Sequence, residues 1–191
     1  MSRLVSLTAL LVTCLSLLAR AQSSPDPAPS DSFNAGAWNL EILGQAFSEA
    51  WNYNANHEDL FGLSTGFTYG IRDGMTAVLA APMFLVTERT SNATLLGVTG
   101  GIRKRVARWT RVSAFVEVLV GISRAEASVP PRGTQFNYLF QPGAGIVGRL
   151  GRGQFVAGVR WLHLSNNSLE GRNRNPDIEA IGVMTGVLLP F

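Results

Sequence analysis

The sequence predicts an all-β fold: an eight-stranded antiparallel up-and-down β-barrel that crosses a membrane. Three observations predict it. Apolar side chains alternate with small or polar ones over long stretches, and these stretches have the length of a tilted membrane crossing. The links between them alternate between short and long. The chain of 191 residues is 46% hydrophobic, which fits one domain. We place the barrel at 36–191, after a signal peptide at 1–21 and a flexible periplasmic lead-in at 22–35.

The first 21 residues have the composition of a secretory signal peptide. Arg3 gives a positive start, residues 4–18 form an apolar core too short for a transmembrane helix, and Ala-Arg-Ala at 19–21 offers small residues before a cleavage point. Cleavage there removes Cys14, the one cysteine, so no thiol chemistry is expected. It also removes two arginines and no acid, which lowers the net charge from +3 to +1. We therefore expect no nucleic-acid partner.

Side chains in the predicted strands alternate between two faces, as they do in a strand with two different environments. Within 60–71, the mainly apolar face consists of Phe61, Leu63, Thr65, Phe67, Tyr69 and Ile71. The opposite face consists of Leu60, Gly62, Ser64, Gly66, Thr68 and Gly70. A soluble β-sandwich also alternates, so the lengths of strands and links must decide between the two folds.

Strand lengths and links favour the membrane barrel. We predict strands at 38–46, 60–71, 75–87, 93–106, 109–123, 135–149, 154–166 and 178–191. Most exceed the five or six residues common in soluble proteins and suit a crossing of about ten. Tight turns are predicted at 72–74, 107–108 and 151–153, and longer polar links at 47–59, 88–92, 124–134 and 167–177. Short periplasmic turns and longer external loops are typical of outer-membrane barrels.

The last strand ends on Phe191, which resembles the terminal assembly signal of bacterial outer-membrane barrels. The bacterial cell outer membrane is therefore the expected location. A barrel of only eight strands has an interior filled by side chains, so it is a poor candidate for a diffusion pore. We expect the function to lie in the loops or on the outer wall.

Residues suited to chemistry cluster where strands seven and eight meet. The period of two places His163 and Ser165 on one face, and Glu179 falls on the outward face at the start of the next strand. A serine, a histidine and an acid that converge near one rim form the set that a serine hydrolase needs. The competing interpretation is that these groups only occupy the headgroup zone, where a charge costs about 0–1 kcal/mol.

The motif His-Leu-Ser-Asn at 163–166, followed by Asn-Pro-Asp-Ile-Glu at 175–179, resembles the signature of the outer-membrane lipid A 3-O-deacylases (PagL-like acyloxyacyl hydrolases). The recognisable residues cover 160–191. This resemblance implies a carboxylic ester hydrolase of the lipid A deacylase type, acting in the outer membrane on lipopolysaccharide. It implies no metal and no cofactor, and it leaves the oligomeric state open.

The resemblance also implies roles for individual residues. Ser165 is the nucleophile, His163 the general base, and Glu179 the acid that orients the imidazole. Asn166 is the candidate for oxyanion stabilisation. We expect the acyl chain to lie on the lipid-facing wall below the triad, along Phe155, Val159, Trp161 and Ile181.

The chain departs from the family pattern close to the motif. Asn167 and Ser168 follow Asn166 where the family often has a small residue and glycine, and Asp177 stands where glycine is common. Glu170 is a rival acid, but it lies in a loop with no strand to direct it.

Other interpretations remain open. The chain could be a non-catalytic barrel that acts as an anchor or surface-binding protein. It could also be an acyltransferase of the lipid A palmitoyltransferase type, which keeps the acyl chain inside the barrel. His57 is a weak candidate for a metal ligand, and Arg172 and Arg174 for contacts to lipid A phosphates.

Overall fold

The computed structural model describes residues 31–51, 57–88 and 92–191, so the predicted signal peptide at 1–21 lies outside the described residues. The chain forms a closed antiparallel barrel whose eight strands are neighbours in sequence order, with the last paired to the first. The strands are β1 (Trp38–Glu49), β2 (Asp59–Arg72), β3 (Met75–Thr87), β4 (Asn92–Arg108), β5 (Val112–Val129), β6 (Thr134–Leu150), β7 (Gly153–Ser165) and β8 (Ile178–Pro190). The predicted fold is confirmed.

Several strand boundaries differ from the prediction, and two of these differences change a predicted link. β5 continues to Val129, through most of the segment 124–134 that was predicted as a loop, and the chain then reverses within 130–133. β4 continues to Arg108, so the turn predicted at 107–108 lies at 109–111. The extension of β5 has little apolar alternation, because strands that project beyond the membrane need no lipid-facing side chains.

The outward face of the barrel is apolar. Its large side chains are about half exposed, among them Phe61, Leu63, Leu79, Leu96, Val98, Val118, Val120, Val159, Ile181 and Val183. A continuous apolar surface of this kind is rare on soluble monomers but is the lipid-facing band of a membrane barrel. Among the described residues, no helix is long and apolar enough to cross a membrane.

The interior contains a buried network of charges. Glu117 accepts hydrogen bonds from Arg103 (Nε to Oε2, 3.0 Å) and from Arg160 (Nε to Oε1, 2.7 Å). Arg103 also forms an ion pair with Glu41 (Nη1 to Oε2, 2.7 Å), and Arg160 donates a hydrogen bond to Gln45 (Nη1 to Oε1, 2.9 Å). Two carboxylates thus balance two guanidinium groups in a space from which water is largely excluded. As predicted for eight strands, side chains fill the interior at this level.

The end of the barrel with short turns, which we take as periplasmic, is covered by residues 31–37. Phe33 is fully buried with its ring centroid 6.5 Å from that of Phe115. Asp31 forms an ion pair with Arg105 at 2.6 Å. Residues 31–37 therefore close the periplasmic end of the barrel.

The structure of this segment differs from the flexible lead-in expected at 22–35. Residues 31–35 are packed, because Phe33 enters an apolar part of the interior and the Ser32 N–H donates to the Gln154 side chain (2.9 Å). The earlier part of the predicted lead-in, 22–30, lies outside the described residues.

Candidate active site

Strands β7 and β8 bring the predicted acid and base together at the end of the barrel opposite the short turns, called here the loop end. In the β7–β8 ladder, His163 lies directly opposite Glu179, and Trp161 lies opposite Ile181. Leu162, beside His163 in sequence, is fully buried in the interior, whereas Trp161 is exposed on the outer wall. The alternation therefore places the His163 and Glu179 side chains on the outer wall, close to the rim.

His163 and Glu179 form a close pair. His163 Nδ1 lies 2.7 Å from Glu179 Oε1, and the two side chains are 31% and 15% exposed. When Nδ1 carries the proton of the neutral ring and donates it to Glu179, Nε2 is left as an acceptor that can serve as a base. Glu179 therefore selects the tautomer that a general base requires.

The second carboxylate oxygen of Glu179 is in a different situation. Glu179 Oε2 is buried and has no hydrogen-bond partner among the described residues. A buried acceptor without a donor is unusual and calls for a physical explanation. Within the described residues, the Glu179 carboxylate is therefore paired on one side only, with His163.

Ser165, the predicted nucleophile, ends β7 and is 6% exposed. Its hydroxyl donates a hydrogen bond to Asn175 Oδ1 (3.1 Å) and accepts one from the Asn167 N–H (3.1 Å). Between these described residues the structure shows no hydrogen bond from Ser165 to His163. The hydroxyl proton is directed at Asn175, so the hydroxyl must rotate before His163 can accept that proton.

Asn166, the predicted oxyanion residue, uses its side chain for structure. Its Nδ2 donates to Thr134 Oγ1 (3.0 Å) and to the Arg174 carbonyl, and its Oδ1 accepts from the Ser168 N–H (2.9 Å). The side chain thereby fastens the β7–β8 loop to the start of β6. The Asn166 backbone N–H donates to Asn175 Oδ1 (2.8 Å), so this N–H rather than the side chain is the remaining candidate for an oxyanion donor.

Asn175 is the site residue that the sequence analysis missed. Its Oδ1 accepts hydrogen bonds from the Asn166 N–H (2.8 Å) and from the Ser165 hydroxyl (3.1 Å). Asn175 belongs to the motif 175–179, but its loop position gave no indication of where its side chain points. The signal available in the sequence was an asparagine within the motif that had no assigned role.

Two of the three departures from the family pattern, Asn167 and Ser168, lie in a strained turn. Asn167 and Ser168 have φ angles of 53° and 58°, in the left-handed region. This region favours glycine, tolerates asparagine, and is less favourable for serine. A glycine at this point of the family pattern therefore has a conformational reason, and the Ser168 N–H bond to Asn166 helps hold the turn here.

Glu170 and His57, the other candidates from the sequence, have partners other than His163 and Glu179. Glu170 is exposed and forms an ion pair with Arg174, which also donates to the Gly133 carbonyl (3.3 Å). His57 lies at the β1–β2 link, 3.9 Å from Glu49 and 3.8 Å from Asp59. Within the described ranges, no group of three or more histidine, cysteine or acidic side chains is arranged to hold a metal ion.

An apolar groove of about 310 Å³ lies on the outer wall beside the site. Small side chains of β1, Ala46 and Ser48, form its floor, because Ala46 lies between the larger Phe61 of β2 and Val183 of β8. We call it the outer groove; it is lined by Ala46, Phe47, Ser48, Asp59, Phe61, Val159, Ile181, Gly182 and Val183.

The predicted substrate-contact residues divide into two groups around this groove. Val159 and Ile181 line it, and Ile181 is the next outward residue below Glu179 on β8. Trp161 lies on the same outward row but packs edge-on against Phe140, with ring centroids 6.0 Å apart. Phe155 lies nearer the periplasmic end of that row, outside the groove lining.

Comparison with known proteins identifies the fold. No family model and no curated protein matches the chain. Among solved structures, the outer membrane enzyme PagL shares 18% identity with a TM-score of 0.52, covering 81% of this chain and 100% of that chain. Ail, the attachment invasion locus protein of Yersinia pestis, shares 14% (TM-score 0.46; coverage 82% and 99%). A de novo designed transmembrane β-barrel shares 12% (TM-score 0.44; coverage 83% and 98%). The likeness to PagL shows the fold alone, that of an eight-stranded bacterial outer-membrane barrel.

Proposed function

We propose that the protein is a lipid A deacylase that hydrolyses an ester-linked acyl chain of lipopolysaccharide in the outer membrane. The observation that carries the proposal is the 2.7 Å contact of His163 Nδ1 with Glu179 Oε1 on the outer wall at the loop end, with Ser165 two residues further along β7. The motifs at 163–166 and 175–179 supply the substrate class, through their resemblance to the lipid A deacylases.

The outer groove supports a membrane-embedded substrate. It opens toward the hydrocarbon of the bilayer. Ile181, which lines the groove, is the neighbour of Glu179 on the outward face of β8. An acyl chain that lies in this groove stays in an apolar environment, so the cost of extracting it, about 0.8 kcal/mol per CH₂, is avoided. The buried charges of Arg103, Glu117 and Arg160 occupy the interior and argue against the palmitoyltransferase-type alternative.

The proposed reaction uses these groups in the following steps. Ser165 Oγ attacks the ester carbonyl while its proton passes to His163 Nε2, and Glu179 stabilises the imidazolium. The Asn166 N–H donates to the negatively charged oxygen of the tetrahedral intermediate. The ester C–O bond then breaks, and His163 returns the proton to the departing hydroxyl of the sugar. Water, deprotonated by His163, hydrolyses the acyl-enzyme and releases the fatty acid.

Mass spectrometry of lipid A from cells that express the protein tests the proposal. We expect lipid A lighter by one hydroxyacyl chain, together with the free 3-hydroxy fatty acid, and unchanged lipid A with the Ser165→Ala variant. Heat-dependent migration on gels shows that both proteins are folded barrels. Identical lipid A masses with wild type and with empty vector would reject the deacylase.

A second candidate function is a non-catalytic barrel that binds a partner through its external end. The observation in its favour is the Ser165 hydroxyl, whose proton is directed at Asn175 rather than at His163. This candidate predicts that Ser165→Ala leaves every phenotype unchanged. In the same experiment, lipid A would then have the same mass with wild type, with Ser165→Ala and with empty vector.

A further inference from the structure

We propose that Asn175 is a positioning residue whose amide oxygen occupies the oxyanion position of the resting site and must leave before the ester carbonyl can bind. The inference rests on the proposed function, and it adds a means by which the site stays inactive without substrate. Three features carry it: the place of the amide oxygen, the direction of the serine proton, and the freedom of the side chain to move.

The Asn175 amide oxygen is placed like the carbonyl oxygen of a bound ester. Asn175 Oδ1 lies 2.8 Å from the Asn166 backbone nitrogen, within the distance of about 2.7–3.1 Å at which a donor stabilises an oxyanion. The same oxygen lies 3.1 Å from the Ser165 nucleophile. Because an amide carbonyl and an ester carbonyl accept hydrogen bonds in the same way, the two compete for one donor.

The amide oxygen also controls the serine proton. Ser165 has one hydroxyl proton, and Asn175 Oδ1 accepts it. The Asn167 N–H donates to one lone pair of Ser165 Oγ and leaves the other lone pair for attack. Departure of Asn175 therefore frees the hydroxyl to turn toward His163 and frees the Asn166 N–H for the substrate in one movement.

The Asn175 side chain can leave while the loop stays in place. The preceding residue, Arg174, is tied to the rest of the protein by its carbonyl, which accepts from Asn166 Nδ2, and by its guanidinium, which donates to the Gly133 carbonyl. Asn175 itself is only partly buried, and two hydrogen bonds hold its side chain to the site. Rotation of one side chain exchanges these bonds for bonds to water and to the incoming ester.

Labelling with a fluorophosphonate probe in detergent micelles measures this directly. The probe forms an O–P bond with Ser165 Oγ, fluoride leaves, and the serine proton passes to His163, so the rate reports how readily the hydroxyl is activated. We expect Asn175→Ala to label roughly two- to tenfold faster than wild type, the factor that one hydrogen bond of ordinary strength represents. Ser165→Ala gives the background, and Asn173→Ala, in the same loop and exposed, is the matched control expected to label like wild type.

Asn175→Asp provides a second, nearly isosteric variant that keeps the loop contacts. Its carboxylate accepts from Ser165 and Asn166 more strongly than an amide and repels a developing oxyanion, so labelling should be slower than wild type. The order Ala, wild type, Asp from fastest to slowest supports the proposal. If Asn175→Ala, shown folded by heat-dependent migration, labels no faster than wild type, or if Asn175→Asp labels as fast as wild type, the proposal is overturned. Absence of labelling in both wild type and Asn175→Ala also overturns it.

These outcomes separate this inference from the deacylase itself. If lipid A loses a chain in cells but Asn175→Ala labels no faster, the positioning role fails and the deacylase stands. If the labelling order holds but lipid A is unchanged, Ser165 is gated by Asn175 and acts on a different ester.

Discussion

Two carboxylates, the buried Glu117 inside the barrel and the partly buried Glu179 on its outer rim, have different surroundings. Both oxygens of Glu117 accept from guanidinium groups, those of Arg103 and Arg160. Glu179 has one oxygen 2.7 Å from His163, while its other oxygen lacks a partner among the described residues. The first carboxylate is fully paired, and the second is paired on one side with a group that can change its charge.

We therefore expect Glu117 to contribute to the stability of the barrel and Glu179 to the proposed chemistry. A fully paired buried charge holds several strands in register, and removal of one partner leaves other charges uncompensated. A carboxylate that is paired on one side only, with a partly exposed histidine, contributes little to the stability of the fold. It can nevertheless stabilise the positive charge of that histidine when a reaction protonates it. The fold therefore places the Arg–Glu network inside the barrel and the pair proposed to react on its outer wall.

The largest effect on activity in this comparison is expected for His163→Ala. Loss of the base should lower fatty-acid release by about 10³-fold or more, as for other serine hydrolases that lose a triad member. The barrel should remain folded, because the His163 side chain lies on the outer wall. Rates measured on lipopolysaccharide in detergent, with heat-dependent migration as the folding control, check this. Near wild-type release would exclude His163 as the base.

The exchange of each carboxylate for an amide tests the comparison itself. Glu117→Gln should destabilise the barrel by about 3–5 kcal/mol, because Arg103 and Arg160 lose their shared counter-charge. Glu179→Gln should cost no more than about 1 kcal/mol of stability and lower the rate by about 10²-fold or more. Urea unfolding in lipid vesicles and initial rates on the same samples give both quantities. A larger loss of stability for Glu179→Gln than for Glu117→Gln would contradict the assignment.

A moderate effect is expected from filling the outer groove. Ala46→Trp should lower the rate several-fold or shift the preferred chain length, because the indole occupies the floor between Phe61 and Val183. Val120→Trp, outward on β5 and away from the groove, is the matched control that a lipid-facing wall should tolerate. Equal rates and equal chain preference for both variants would place the acyl chain elsewhere.

The smallest effect is expected for the rival acid. Glu170→Ala removes an exposed ion pair with Arg174 and should change the rate by less than about twofold, since exposed pairs are worth about 0–1 kcal/mol. Steady-state rates beside those of Glu179→Gln decide between the two acids. A tenfold loss with Glu170→Ala would reverse the assignment.

Periodicity allowed the barrel and the faces of its strands to be predicted. Alternation in β7 indicated that Val159 and Trp161 face lipid, and the structure agrees, with Arg160 and Leu162 between them buried in the interior. The same rule placed His163 and Glu179 on the outer wall, because a strand repeats every two residues. Alternation did not predict the extension of β5 at 124–129, because its polar residues form no apolar, lipid-facing row.

The hydrogen bonds within the site could not be predicted in this way. The contact of Asn175 with Ser165 depends on the path of the β7–β8 loop, which includes left-handed residues at Asn167 and Ser168. The use of the Asn166 side chain depends on Thr134, a residue 32 positions away that the barrel brings near. Phe33 entered the interior for a similar reason, since only the closed barrel provides its contacts.

Release of fatty acid from purified lipopolysaccharide by the purified, folded protein is the most direct test of the central claim, that Ser165 on the outer rim cleaves an ester-linked acyl chain. Wild type should release a 3-hydroxy fatty acid and become transiently acylated on Ser165, detectable as an added mass on the peptide that contains it. Ser165→Ala, equally folded, should release none and carry no acyl group. Equal release by the two proteins, or none by either, would contradict the account.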